Sequence, residues 1–304
     1  MNLTRRGFLF RGASALTLGG ASLAGWSFVL EPGFLLDVTR YRLTPPKWPA
    51  GFELNIAVIA DVHACDPWMP AARVRRICQL VNELKPDVIV LLGDYYAGTD
   101  IGAHMVHPDE WGEAFSGLRA PNGVFGVLGN HDLWHGPLPS MRGDDGETVT
   151  RTLRHASVRV LDNQAARLVK DGVGFWMVGL ADQMATRIAR GRYIGRDDLD
   201  GALDRITDDG PAILLAHEPF IFPRVPERVA LTLCGHTHGG QVHIPFVGNP
   251  LLRKRLPPEH VYGHVNENGR HMIVSAGLGV SIVPARFMKP PEIVMVSLGG
   301  NAVA

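Results

Sequence analysis

Apolar residues along this chain come in short runs, at 54–60, 88–92, 124–128, 212–216 and 229–234, interrupted by a polar residue only at Asn55 and Thr232. Largely apolar runs of that length, without period-2 alternation, read as strands buried on both faces. Between the first two, Val74, Ile77, Val81 and Leu84 recur at helical spacing with Cys78 among them, which predicts an amphipathic helix near 70–84. Runs at 166–169 and 175–179 flank Asp171-Gly172, a dipeptide suited to a tight hairpin turn. Further strands are expected near 271–276 and 292–298. Strand and helix alternate early in the chain, so the expected class is α/β.

Each of the five runs leads into a polar block. The blocks are Asp61-Val62-His63, Gly93-Asp94, Gly129-Asn130-His131-Asp132, Ala216-His217-Glu218-Pro219 and Gly235-His236-Thr237-His238. In open α/β sheets, ligands bind beyond the carboxyl ends of the strands, so five such blocks can converge. Their carboxylate, amide and imidazole donors, without thiolates, suit divalent Mn, Fe or Zn. They are too many for a mononuclear centre, which uses about three protein ligands and a water. Two ions sharing a carboxylate would use them all and could grip both the attacking and the leaving oxygen of a displacement. On an extended strand exit, residues i and i+2 point the same way, as Asp61 and His63 would, and His236 and His238. A site drawn from residues 61–238 also argues for one catalytic domain, at 51–300, although the length alone would allow two domains.

With these blocks in this order, the chain resembles the calcineurin-like metallophosphoesterase superfamily. Small bacterial exported phosphodiesterases are the nearer likeness, at Ala120-Pro121-Asn122-Gly123-Val124-Phe125, at the run from Gly235 to Gln241, and at Gly277-Leu278-Gly279 and Pro290-Pro291-Glu292-Ile293. The resemblance implies two packed mixed β-sheets flanked by helices, a four-layer sandwich. It also implies one metal on Asp61, His63 and His238, a second on Asn130, His217 and His236, and Asp94 bridging both. Hydroxide activated by the metals would attack phosphorus, with His131 beside the leaving oxygen as acid or as a stabilising cation. Protein Ser/Thr phosphatases of this superfamily carry Gly-Asp-x-x-Asp-Arg-Gly, whereas this chain has Ala97 and Gly98 in place of that second Asp and the Arg. That argues against a protein phosphatase and leaves open what orients His131.

The N-terminus reads Leu3-Thr4-Arg5-Arg6-Gly7-Phe8-Leu9-Phe10-Arg11, a twin-arginine export signal. An uncharged stretch at 12–30 follows, which is either cleaved near Ala21-Ser22-Leu23-Ala24 or kept as an anchor. Residues 1–30 are therefore expected to be signal or anchor, and 31–50, with Thr44-Pro45-Pro46-Lys47-Trp48-Pro49, a stiff linker. The expected partners are the twin-arginine translocase, the inner membrane and a phosphoester substrate. The protein would be periplasmic or held on the outer face of the inner membrane. Composition adds little: hydrophobic residues make up 46% and the formal net charge is zero, which gives no electrostatic footprint for nucleic acid. Cys65, Cys78 and Cys234 form no disulfide framework.

Outside the blocks stand His104, His107, His135, His155, His243, His260, His264 and His271; His135 and His243 lie nearest to them in sequence. The loop at 245–256 is apolar and then basic, with Phe246, Leu251 and Leu252 before Arg253, Lys254 and Arg255, a pairing suited to an anionic membrane surface. Three classes stay open: a phosphodiesterase or pyrophosphatase on an envelope or lipid-linked substrate, a phosphomonoesterase or nucleotidase on small soluble phosphates, and a non-catalytic metal-dependent binding protein.

Overall fold

A computed structural model describes residues 19–134, 145–188, 191–251 and 256–299. Two six-stranded mixed sheets pack face to face. The first runs in the order β1 (Asp37–Leu43), β16 (Glu292–Leu298), β2 (Leu54–Ile59), β4 (Val88–Leu91), β6 (Val124–Gly126) and β7 (Arg159–Val160). The second runs β14 (Gly263–Glu267), β15 (Arg270–Val274), β13 (Val229–Cys234), β12 (Ala212–Leu215), β9 (Val173–Gly179) and β8 (Gln164–Lys170). The pairs β2–β4, β4–β6, β9–β12, β12–β13 and β13–β15 are parallel, while β16 runs antiparallel to β2. Two short ribbons complete the strands: β3 (Cys65–Asp66) with β5 (His104–Met105), and β10 (Thr186–Ile188) with β11 (Arg192–Ile194).

The largely apolar runs have a direct cause. Successive strand side chains point to opposite faces, and both faces of each sheet are covered. In β2, Ile56 and Val58 enter the core between the sheets, whereas Ala57 and Ile59 meet the helices. In β12, Ile213 and Leu215 face the first sheet, and Ala212 and Leu214 face outward onto Ile221 and Phe222. Burying each such side chain contributes about 1.5–3 kcal/mol. A charge placed at any of these positions would break the layer it enters.

The helices Ala71–Glu83, Pro108–Phe115 and Glu147–His155 cover the outer face of the first sheet through Val74, Ile77, Trp111, Phe115, Val149 and Leu153. The first stops at Lys85, whose φ of +50° ends the helix just before Pro86. The second starts in a capping box: the His107 ring accepts from the Asp109 N–H, and the Glu110 side chain accepts from the His107 N–H. Asp171 and Gly172 both take positive φ, which turns β8 into β9 as the hairpin reading expects.

One stretch departs from the sequence reading. Within 31–50, expected to be a linker, Asp37–Leu43 forms β1 and pairs in parallel with β16 across all seven residues. Trp48 is buried and donates from Nε1 to the Phe52 carbonyl. β1 is a half-buried edge strand carrying Thr39, Arg40 and Arg42, so it lacks the apolar run that marks the central strands. Among the described residues, no helix is long and apolar enough to cross a membrane. The twin-arginine residues, His135 and Arg253 to Arg255 lie outside the described residues.

Candidate metal centre and active-site cavity

All five polar blocks leave the carboxyl ends of their strands: β2, β4 and β6 in one sheet, β12 and β13 in the other. The two sheets thus contribute to one site along their shared edge. Backbone bonds stitch the exits together, with Asp61 N–H donating to the Gly93 carbonyl, His63 N–H to that of Asp94, and Gly235 N–H to that of His217.

The exits are not extended, as the i, i+2 argument supposed. Asp61, His63, Asp94, His236 and His238 all lie in the left-handed region, with φ of 50°, 43°, 59°, 69° and 53°. Such conformations cost on the order of 1–3 kcal/mol each and persist where surrounding structure imposes them. The side chains therefore converge through left-handed turns and not through strand alternation. Two glycines make the turns possible. Gly93 has φ +90°, and a Cβ there would lie 2.4 Å from Gly129 N; one on Gly129 would lie 2.3 Å from Asp94 Oδ1.

Two clusters result. Potential ligand atoms of Asp61, His63 and His238 lie within 4.8 Å of one another, as do those of Asp94, His217 and His236. Asn130 Oδ1 joins the second cluster, 2.9 Å from His236 Nδ1. Asp94 Oδ2 lies between the clusters, 3.5 Å from His63 Nε2 and 3.2 Å from His217 Nε2. The structure thus brings together all seven residues singled out from the sequence as metal ligands.

The donor set fits a pair of divalent cations. Asp61 Oδ2 is buried without a hydrogen-bond partner, and His63 Nε2 and His238 Nε2 face each other at 3.1 Å. His63 is fixed from behind, since its Nδ1–H donates to the Tyr96 carbonyl, which turns the Nε2 lone pair inward. His217 Nδ1–H does the same to the Leu92 carbonyl. Burial lowers the pKa of His63, of His236 (to about 4) and of His238, and so favours the neutral, ligating imidazole. Burial lifts Asp61 to about 7, His217 pulling it down and Asp94 pushing it up. Burial would also raise Asp94, but His217, His131 and His63 hold it well below the usual carboxylate range. A third group, Asp182, His217 and Glu218, shares His217 with the second cluster and is buried; burial and the neighbouring Glu218 push the Asp182 carboxyl well above the usual carboxylate range.

Asp132 has a role its sequence position did not disclose. Its buried carboxylate accepts the N–H groups of Gly129, Asp94, Tyr95 and Tyr96 at 2.8, 2.8, 2.7 and 3.3 Å. It ties the β4 exit to the β6 exit and so sets where Asp94 and His131 stand. Asp132→Ala would orphan these donors at about 1–3 kcal/mol for each that water cannot reach. The expected result is a loss of several kcal/mol in denaturant unfolding together with reduced metal content, and Asp132→Asn should recover part of both.

His131 lies on the cavity wall, its backbone N–H on Asp94 Oδ1 at 2.8 Å and its ring 4.9 Å from that of His63. The cavity has a volume of about 500 Å³. Asp94, Asn130, His236 and His238 form its polar floor, and Ile101, Leu251, Leu256 and Ile282 contribute apolar surface. Trp134, one helical turn beyond His131, forms another wall: its Nε1 donates to the Met184 carbonyl, the Arg187 guanidinium lies 3.6 Å over its ring, and Tyr193 stacks on it at 5.5 Å. Sequence reasoning missed Trp134, Arg187 and Tyr193. Only the i+3 spacing from His131 could have pointed to the first. It also missed the buried Arg286, which donates to the Gly279, Ala276 and Lys289 carbonyls and reaches within 3.3 Å of His238 Nδ1.

The remaining described histidines do not line the cavity. His107 caps a helix, His243 contacts Asn249, His260 pairs with Glu267, and His264 stacks on His271. Cys65, Cys78 and Cys234 are buried free thiols; burial pushes Cys65 up to about 11, which removes it as a nucleophile.

A two-sheet sandwich carrying two adjoining histidine–carboxylate clusters defines a metal-dependent phosphoester hydrolase. Residues 54–240 match the calcineurin-like phosphoesterase family, and the chain belongs to it. Members of this family normally bind two divalent metal ions. The chain is 30% identical to the metallophosphoesterase YkuE of Bacillus subtilis, over 94% of this chain and 92% of that protein. It is 30% identical to the phosphodiesterase YaeI of Escherichia coli, over 97% and 99%. It is 26% identical to the UDP-2,3-diacylglucosamine pyrophosphatase LpxG of Chlamydia trachomatis, over 92% and 95%.

Proposed function

We propose that this hydrolase cleaves a phosphodiester or pyrophosphate carried on an envelope metabolite or lipid, after twin-arginine export to the outer face of the inner membrane. The observation that carries the reading is the division of the cavity, whose polar metal-ligand floor adjoins apolar surface from Ile101, Leu251, Leu256 and Ile282. A phosphoryl group would seat on the floor and an apolar substituent along that surface. YaeI is named a phosphodiesterase and LpxG a pyrophosphatase of a diacylated sugar nucleotide, which supports the same direction.

Asp61, His63 and His238 would hold one ion, Asn130, His217 and His236 the other, and Asp94 both. Two bound divalent ions supply Lewis acidity and a water of lowered pKa. The chain provides the rest. Asp132 fixes the turn that presents Asp94, the Tyr96 and Leu92 carbonyls orient His63 and His217, and His131 stands at the wall to protonate the leaving oxygen.

The test is turnover of bis(p-nitrophenyl) phosphate, p-nitrophenyl phosphate and a panel of lipid phosphoesters. The diester and at least one lipid substrate should be preferred; a preference for the monoester with no lipid turnover would favour a phosphomonoesterase or nucleotidase. The double variant Arg5→Lys, Arg6→Lys should strand active enzyme in the cytoplasm, and normal export would refute the twin-arginine reading.

A further inference from the structure

We propose that the N-terminal helix stays on the protein, enters the lipid bilayer, and is fixed rigidly to the catalytic domain beside the cavity, so that the cavity mouth faces the membrane surface. Residues 19–30 are helical, carry no charged residue, and expose every side chain except the half-buried Ser27. This helix leaves Leu23, Trp26, Phe28, Val29 and Leu30 exposed together, an apolar surface of the kind that protein or lipid normally covers. The uncharged stretch extends in sequence from 12 to 30, close to the roughly 20 residues that match a bilayer core. Trp26, with Nε1 donating to Glu31 Oε2, lies about one turn before the first charged residue, where an amphipathic ring suits the interface.

The junction is a clamp and not a tether. Glu31 is buried, and its carboxylate accepts the N–H groups of Met288 and Lys289 at 3.1 and 2.7 Å. The Ser27 carbonyl accepts from Arg286 N–H at 2.8 Å and the Phe28 carbonyl from Trp68 Nε1 at 2.7 Å. Arg73 grips the Pro32 and Leu35 carbonyls, and the chain then runs straight into β1. A junction bonded to the domain at intervals from Ser27 to Leu35 cannot swing freely.

The clamp sits next to the mouth. Trp68 packs by Gly102, the neighbour of Ile101, and Arg286 follows closely on Ile282; Ile101 and Ile282 are both exposed and both line the cavity. Met288 is exposed next to the Glu31 clamp, and its neighbour Phe287 bridges to Val242 at the base of the loop that carries the fully exposed Phe246. A helix in lipid would bring this apolar rim down onto the headgroups.

The experiment uses the full chain in vesicles of phosphatidylethanolamine and phosphatidylglycerol. Single cysteines at Met288→Cys, Phe246→Cys and Val169→Cys carry a nitroxide, the three native cysteines being buried. Val169 is exposed on β8, whose neighbour Lys170 bonds Glu53 just before β2, so it lies at the opposite end of the strands from the site. Labels at 288 and 246 should be shielded from an aqueous nickel chelate and reached by lipid-dissolved oxygen, while the label at 169 stays in water. Equal water access at all three in membrane-bound protein would overturn the rigid placement. So would a lipid-free dimer that ignores vesicles, since a second copy would then cover the helix, or an N-terminus beginning after Ala24. Glu31→Ala should stay membrane-bound, lose shielding at 288, and show a several-fold fall in the ratio of lipid-diester to soluble-diester turnover. Only that ratio rests on the proposed lipid substrate; label access tests the placement even if the substrate is soluble.

Discussion

Asp94→Ala is expected to abolish turnover and to lose at least one of the two metal ions. Its Oδ2 lies 3.5 Å from His63 Nε2 and 3.2 Å from His217 Nε2, one imidazole of each cluster, so its removal opens both at once. Loss of Lewis-acid stabilisation worth several kcal/mol corresponds to a fall in kcat/KM on the order of 10³-fold or more. Asp94→Ala also strips the acceptor of the His131 N–H, so the catalytic wall shifts with the metals. Asn130→Ala touches the second cluster alone and should chiefly weaken one ion. Metal analysis and steady-state kinetics on both variants check this. An Asp94→Ala protein with full metal content and residual turnover above one-tenth would contradict the bridging role.

His131→Ala is expected to leave metal content intact and to lower kcat by about 10²–10⁴-fold for an alkyl phosphodiester, the usual contribution of a positioned acid. Protonation matters most for a poor leaving group, so a nitrophenyl ester should lose far less. His131 is within 4.9 Å of the His63 ring yet belongs to neither ligand cluster, so the two roles can be separated. Equal losses on both esters would assign His131 to charge stabilisation, with no proton donated. Trp134 packs its ring 5.4 Å from that of His131, and Asp132 holds the Gly129 N–H in the turn just before it.

The central strands were legible because both of their faces are covered, which forces largely apolar sequence at β2, β4, β12 and β13, interrupted only by Asn55 and Thr232. β1 and β14 were not, because an edge strand keeps polar side chains in water; Arg40, Arg42 and His264 carry no periodic signal. The chemistry of the blocks was legible because ligand identity resides in single residues. Their backbone was not: a positive φ at His63 or His238 is imposed by contacts far off in sequence, such as those of Gly279 with Asp61 and of Arg286 beside His238. Asp132 stood within one of the polar blocks, yet its four backbone donors come from two separate exits, Asp94 to Tyr96 and Gly129. Arg187 and Tyr193 reach the cavity only through the β10–β11 ribbon folding over Trp134, which no local pattern encodes.

The most direct measurement is the metal stoichiometry of the purified, active wild-type protein by elemental analysis, with activity followed as metal is removed by chelator and restored. Two converging ligand clusters bridged by Asp94 predict about two divalent ions per chain, with turnover lost on removal and recovered on reloading. A value near one ion in fully active enzyme, unchanged in Asp94→Ala, would contradict the account.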